Sequence, residues 1–219
     1  MSEDFIRAHA AIGRAPLVPE IALYLATEIT PIWQATEAWL AREGIAPPYW
    51  AFAWPGSQAL ARMVLDDPAL VRGRRVLDFA AGGGLAAIAA VLAGACAVDA
   101  AEIDPLALAA CRLNATLAGV AIGTDPGDVL AAPARWDVIL AGDVCYEAPM
   151  AARVMAWLRA AASEGALVLL ADPGRAYAPT EGLEQRGRFI VPVTRELEDR
   201  DTREVTICRV LPGTRAAAG

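Results

Sequence analysis

The sequence predicts one doubly wound α/β domain with a seven-strand sheet. Three observations predict it. Short apolar runs alternate with alanine-rich helical runs between residues 75 and 171, joined by short connections, as a mostly parallel sheet covered on both faces requires. Within that stretch, Val76-Leu77-Asp78-Phe79-Ala80-Ala81-Gly82-Gly83-Gly84 reads as a strand ending in a carboxylate, a glycine turn and a helix start, and Glu102 follows 20 residues after Gly82. After Asp172 the pattern changes to two alternating runs, which read as a terminal antiparallel hairpin.

Taken in order, residues 1–46 read as a helical N-terminal extension. Residues 1–16 form a helix or arm ending at Pro16, and apolar and polar residues intermix from 19 to 33, with Pro31 breaking any helix there. Residues 33–43 fit a helix with Trp33, Ala35, Trp39 and Leu40 on one side, stopped by Gly44. Residues 47–55 are a proline-bounded aromatic loop, and 56–66 the helix that follows. Strands are expected at 75–79, 95–101, 120–124, 136–141 and 166–171, with helices at 84–92, 106–118 and 148–162. The third strand is the weakest, since it carries Gly123 and few β-branched residues. Residues 187–197 and 204–211 supply the hairpin, with Glu198-Asp199-Arg200-Asp201 between them. The core is thus expected over 47–211, with 212–219 a disordered tail.

The chain has 219 residues, enough for one α/β domain with a sizeable core and too few for two. Its net charge of −7 argues against a nucleic-acid partner, because a phosphate backbone demands a basic face. Arg72, Arg74 and Arg75 form the densest basic group and read as a solvated turn. Cys96, Cys111, Cys145 and Cys208 show no C-x-x-C spacing, so they are expected to be reduced thiols of a cytoplasmic protein without a metal site. His9 is the only histidine and lies near the terminus, which disfavours imidazole catalysis. Ser2-Glu3-Asp4 makes an acidic start unlike a signal peptide. Residues 79–98 carry no charge over a span of 20, but their glycines and alanines suit a turn, a buried helix and a strand better than a membrane. A soluble monomer is expected.

The glycine turn suits an adenosine-type ligand. Gly82 and Gly84 let the backbone turn sharply and approach a ligand where a Cβ would clash. Glu102, at the end of the next apolar run, can accept hydrogen bonds from both ribose hydroxyls. Gly82-x-Gly84-x-x-Ala87 with Glu102 also fits a dinucleotide fingerprint, so NAD competes. Asp78 close to the ligand favours a cation over a pyrophosphate, and S-adenosylmethionine carries a sulfonium and an ammonium but no phosphate.

The chain resembles the class I methyltransferases, whose fold is a Rossmann-like seven-strand sheet with an antiparallel last strand. Asp78, Gly82 and Gly84 are similar to their first motif, although Ala80 stands where the family usually has its first glycine. Glu102-Ile103-Asp104-Pro105 is similar to the second. The resemblance implies cofactor contacts from Asp78, Ala80, Gly82, Gly84, Glu102 and Ile103, with Asp128 and Val129 near the adenine and Trp54 flanking the pocket. Asp143-Val144-Cys145-Tyr146 resembles the Asp-x-x-Tyr signature of seven-strand protein lysine methyltransferases. Trp54-Pro55-Gly56 and Asp172-Pro173-Gly174-Arg175 narrow the likeness to the branch acting on the electron transfer flavoprotein beta subunit. The resemblance extends over residues 17–211.

That likeness implies S-adenosylmethionine as cofactor and a protein lysine as acceptor, with the flavoprotein beta subunit the favoured partner. Asp143 is then expected to orient the amine, Tyr146 to form an aromatic wall, and Arg175 to contact an acidic substrate surface or to pair with Asp172. Asp104 is expected to cap the helix that starts at Pro105. All 19 basic residues are arginine; a GC-rich coding sequence accounts for this, and a lysine-modifying enzyme would also gain by carrying no competing target. The alternatives are methylation of another protein, such as a ribosomal protein, or of a small amine. An NAD-dependent oxidoreductase or a non-catalytic cofactor-binding protein stands further off.

Overall fold

A computed structural model describes residues 2–27, 42 and 47–213. The chain opens with α1 (Ser2–His9), then a two-stranded antiparallel hairpin, β1 (Ala11–Ala15) and β2 (Val18–Leu25). The N-terminal helix agrees with the sequence; the hairpin replaces the helical continuation expected there. Val18, Ile21 and Leu23 drive it, since all three are buried against the domain. The helix expected at 33–43 lies, apart from Arg42, outside the described residues, as does the tail beyond 213.

The aromatic loop leads into α2 (Pro55–Asp66), with proline at its first position, where a missing amide costs nothing. There follow β3 (Arg75–Phe79), α3 (Leu85–Leu92), β4 (Ala97–Ala101), α4 (Pro105–Leu117) and β5 (Gly123–Asp125). Next come β6 (Val138–Gly142), α5 (Ala148–Ser163), β7 (Leu167–Asp172), β8 (Leu183–Pro192), a single helical turn α6 (Arg195–Glu198) and β9 (Thr202–Val210). The seven strands lie in the order β5-β4-β3-β6-β7-β9-β8. β9 pairs antiparallel with both neighbours, and the other ladders are parallel. The weak third strand survives as three residues at the sheet edge, where Gly123 costs least.

Strand periodicity fills both faces. Val76, Leu140, Leu169 and Ile207 point to one side, under α2, α3 and the N-terminal hairpin. Leu77, Ile139, Val168 and Leu170 point to the other, under α5 with Trp157 and Leu158. A smaller cluster joins Ile6 of α1 and Trp50 of the aromatic loop to Ala109, Ala110 and Leu113 of α4. This cluster fixes the aromatic loop beside the glycine turn. The chain proceeds outward from β3 through β4 to β5, then returns to β6 and proceeds the other way. Such a switch opens a crevice at the carboxyl ends of β3 and β6.

Candidate active site

The glycine turn occupies that crevice. Gly82 and Gly84 have φ of 54° and 78°, the left-handed region that glycine enters freely. At Gly84 crowding adds to conformation, because an added Cβ would stand 3.1 Å from Cys111 Sγ. At Gly82 an added Cβ would meet nothing closer than 3.9 Å, so conformation alone selects glycine there and its face stays open. Glu102 holds the turn from the end of β4. Its Oε2 accepts the Gly82 amide at 3.1 Å and its Oε1 the Ile103 amide at 2.9 Å. Burial pushes this carboxyl above the ordinary glutamate range. Ile103 beside it is 74% exposed, an apolar side chain offered at the site's rim.

Asp78 lies beneath the turn. It is 3% exposed, and its Oδ2 accepts the amide of Ala87 in the first turn of α3 at 2.8 Å. Burial pushes it up to about 8. Its visible work is to tie strand to helix beneath the turn. Ala80 carries the first positive φ of the motif, 53°, a conformation that costs a side-chain-bearing residue about 1–2 kcal/mol. Asn114 of α4 is fully buried and was not legible as a site residue. Its Nδ2 donates to Gly83 O at 2.8 Å and its Oδ1 accepts the Tyr24 amide at 2.8 Å, linking the turn to β2.

Across the crevice, Asp143 follows β6 with φ of 57°. It caps a helix, but that helix is α2 rather than the following α5. Its Oδ2 accepts the Gly56 amide at 2.7 Å and the Ser57 amide at 3.3 Å. The fit is tight: an added Cβ at Gly56 would stand 2.6 Å from Asp143 Oδ2, and one at Gly142 would stand 2.9 Å from the Ser57 nitrogen. Asp143 Oδ1 is buried and accepts no hydrogen bond. Burial pushes the Asp143 carboxyl up to about 7, opposed by the charge of Arg175.

Arg175 follows β7, and its guanidinium pairs with a residue other than the expected Asp172. Glu198 of α6 binds it through two nitrogens, at 2.5 and 3.2 Å. Asp172 instead accepts the backbone amides of Gly174 and Arg175 on Oδ1, at 2.7 and 2.6 Å. Arg175 Nη2 stands 3.7 Å from Asp143 Oδ1. Glu198 also accepts Arg203 Nε of β9 at 2.7 Å. Glu198 lay in what the sequence presented as a charged turn.

Aromatic side chains surround the mouth. Tyr146 and Tyr49 are each 49% exposed, with ring centres 6.1 Å apart. Trp54 packs 5.9 Å from both Tyr49 and Phe52, and its Nε1 donates to Tyr49 O at 2.8 Å. Trp50 is core. Beyond β5, Asp128 accepts the Leu130 amide on Oδ1 and pairs with Arg153 on Oδ2, while Val129 begins a short helical turn. Asp104 caps α4 by accepting the Leu106 amide at 2.8 Å, as its place before Pro105 implied.

A sheet of this strand order, with a glycine turn backed by an acidic residue at the end of the adjacent strand, defines a class I methyltransferase. A family model described as ribosomal protein L11 methyltransferase (PrmA) matches residues 59–144. The electron transfer flavoprotein beta subunit lysine methyltransferase of Xenopus laevis is 43% identical over 184 residues, covering 79% of this chain and 70% of that protein. The Caenorhabditis elegans homolog is 32% identical, covering 75% and 73%. The Homo sapiens protein is 37% identical, and there the chain spans 61% of the relative's length. The chain belongs to the electron transfer flavoprotein beta subunit lysine methyltransferase family. Among solved structures, the ribosomal protein L11 methylase of Lactobacillus delbrueckii subsp. bulgaricus shares the fold with a TM-score of 0.53 at 20% identity, covering 74% of this chain and 81% of that one. Magnesium protoporphyrin IX methyltransferase of Synechocystis PCC 6803 with bound SAM shares it with a TM-score of 0.52 at 18% identity, covering 82% and 88%.

Proposed function

We propose that this enzyme transfers methyl groups from S-adenosylmethionine to a lysine of a folded protein, with the electron transfer flavoprotein beta subunit as the favoured acceptor. One observation carries the reading: a buried carboxylate oxygen, Asp143 Oδ1, without a hydrogen-bond donor at the crevice of a methyltransferase fold. A buried acceptor without a donor is costly, and at the crevice of this fold a ligand is the fitting source of one. An amine supplies it.

The residues at the glycine turn suit the methyl donor. Glu102 and Asp104 gather there, carboxyl groups that disfavour the pyrophosphate of NAD and suit a cationic ligand, while Asp78, pushed up to about 8 by burial, lies beneath them. Gly82 and Gly84 would carry the backbone past it, Glu102 would receive the ribose hydroxyls, and Ile103 and Val129 would flank the adenine with Asp128 near its amine. Trp54 would close the side. When bound, the cofactor supplies a methyl activated by positive sulfur and a neutral leaving group.

What remains for the chain is position and protonation. A lysine with an ordinary pKa near 10.4 is neutral in about one molecule in 2,500 at pH 7, a penalty of roughly 4–5 kcal/mol. Asp143 Oδ1 holds the amine by hydrogen bond while its proton leaves to water, and Tyr146 and Tyr49 wall the mouth against misalignment. Holding the nitrogen in line with the methyl supplies most of the acceleration. The net charge of −7 favours a basic target over nucleic acid. Four free cysteines suit a reducing, cytoplasmic setting, and no described helix is long and apolar enough to cross a membrane.

The matched segment of the ribosomal protein L11 family favours a second protein acceptor as the rival. Incubating the enzyme with labelled methyl donor and purified flavoprotein beta subunit, then with ribosomal proteins, decides between them. Label on lysine of the flavoprotein subunit, surviving nuclease and declining at high salt, is expected. Label confined to ribosomal proteins, RNA or small molecules overturns the acceptor assignment.

A further inference from the structure

We propose that Glu198, in the connection between the last two strands, is a positioning residue for methyl transfer: it restrains the Arg175 guanidinium beside Asp143 Oδ1 and keeps it from bonding there. The proposal rests on the acceptor role given to Asp143 above.

The geometry is specific. Glu198 has a side chain only 1% exposed, yet both its oxygens are engaged: Oε1 with Arg175 Nη2 at 2.5 Å, Oε2 with Arg203 Nε at 2.7 Å and Arg175 Nη1 at 3.2 Å. Arg203 also donates to the Glu198 carbonyl at 3.2 Å. This two-point grip leaves Arg175 Nη2 3.7 Å from Asp143 Oδ1, beyond hydrogen-bond reach and well within electrostatic reach. A guanidinium released from Glu198 needs to move well under 1 Å (~0.7 Å) to satisfy Oδ1, and Oδ1 would then be unavailable to an amine.

Buried ion clusters of this kind add little to stability compared with apolar packing, so fold maintenance is a poor reason for one. The charges point the same way. Glu198 is matched by Arg203 and Arg175, so once Asp143 is ionised it and Asp172 share the single charge of Arg175, which leaves room for one cation. The groups around Asp143 are few. α2 presents only the Gly56 and Ser57 amides, and β7 with the segment after it presents Asp172 and Arg175. The neighbouring Cys145 thiol is pushed by burial up to about 12 and stays neutral across the working range. Glu198 acts on Asp143 only through Arg175.

Two substitutions therefore move the Asp143 titration in opposite directions. In Glu198→Gln, Arg175 closes on Oδ1, so Asp143 titrates lower by about one pH unit and methyl transfer falls about tenfold. In Arg175→Gln the cation is gone, and Asp143 titrates higher. The titration is read by carboxyl-carbon NMR on the cofactor-free protein and, independently, from the acidic limb of the kcat/KM profile; cofactor affinity by calorimetry stays unchanged in both. Opposite shifts support the proposal, and unmoved or parallel shifts overturn it. Where Glu198→Gln does not fold, Arg175→Gln alone decides, an unmoved or lowered Asp143 value overturning it. Asp143→Asn separates the two readings. Full transfer by that variant removes the acceptor role and this proposal with it; loss of transfer there, with the Asp143 titration unmoved in the other two variants, removes only the role of Glu198.

Discussion

The Asp143 carboxylate accepts the Gly56 amide at 2.7 Å, so the side chain offered to the acceptor amine also terminates α2. One oxygen is spent on the helix and the other is left without a donor. The helix end favours negative charge and burial opposes it. Burial wins, since the carboxyl stands at about 7.

Stability and turnover should separate at this residue. Asp143→Asn retains an oxygen for Gly56 and is expected to unfold in urea within about 1 kcal/mol of the parent, whereas Asp143→Ala loses a cap worth about 1–2 kcal/mol. Both should cut methyl transfer at least about tenfold and leave cofactor affinity by calorimetry nearly unchanged. A variant that loses cofactor but turns over normally would refute the assignment.

Stability should fall as pH rises from about 4 to 8. Asp78 and Asp143 have folded values raised to about 8 and about 7, above the ordinary aspartate value. Each favours the folded state most when protonated in both states, below the unfolded value, and that advantage is lost as pH climbs through the folded value. Asp78→Asn, which can still accept the Ala87 amide, should flatten the decline seen in denaturation midpoints between pH 5 and 8. An equal decline in variant and parent would contradict this.

Ala80→Gly should stabilise the chain. Relief of a left-handed alanine yields about 1–2 kcal/mol, and the added freedom of glycine in the unfolded chain takes back about 0.4–1 kcal/mol. A net gain of about 0.5–1 kcal/mol in urea unfolding is expected. A loss would mean that Ala80 is not strained.

Glu102→Ala should weaken S-adenosylmethionine by about 1.5–3 kcal/mol, because a charged acceptor for the ribose is removed. The same change frees the Gly82 amide, so the turn also loses its tether. Calorimetry checks it; affinity within twofold of the parent would exclude Glu102 from the ribose.

Gly56→Ala places a Cβ against Asp143 Oδ2 and the Ala171 carbonyl. Overpacking of this kind costs about 1–3 kcal/mol, and Asp143 must move to relieve it. Transfer should fall more than cofactor affinity does.

The central sheet was legible because its strands are buried on both faces and its helices are rich in alanine, so apolar runs and glycine turns mark every boundary. β3 fell where expected and the other parallel strands moved by one to three residues, as for β4, which starts at Ala97 rather than 95, whereas β8 runs over Leu183–Pro192 rather than 187–197. The N-terminal hairpin was hidden because residues 1–16 read as a helix or arm ending at Pro16 and the residues after it as a mixed run broken by Pro31. Ile21, Leu23 and Leu25 alternate with period two, and Pro19 is tolerated because it lies next to the strand start and exposed. The glycine turn and the Asp143 segment were visible because their chemistry is local. Asn114, Glu198 and the Gly56–Asp143 contact were not, since each depends on a partner far away in sequence, and a lone Asn in a helix or Glu in a turn carries no sign of one.

Asn114 bonds Tyr24, 90 residues before it, and Gly83, 31 residues before it. During synthesis at about 5–20 residues per second, β2 therefore waits several seconds for the helix that receives it. Until β2 and α4 meet, the glycine turn lacks the support of the Asn114 side chain.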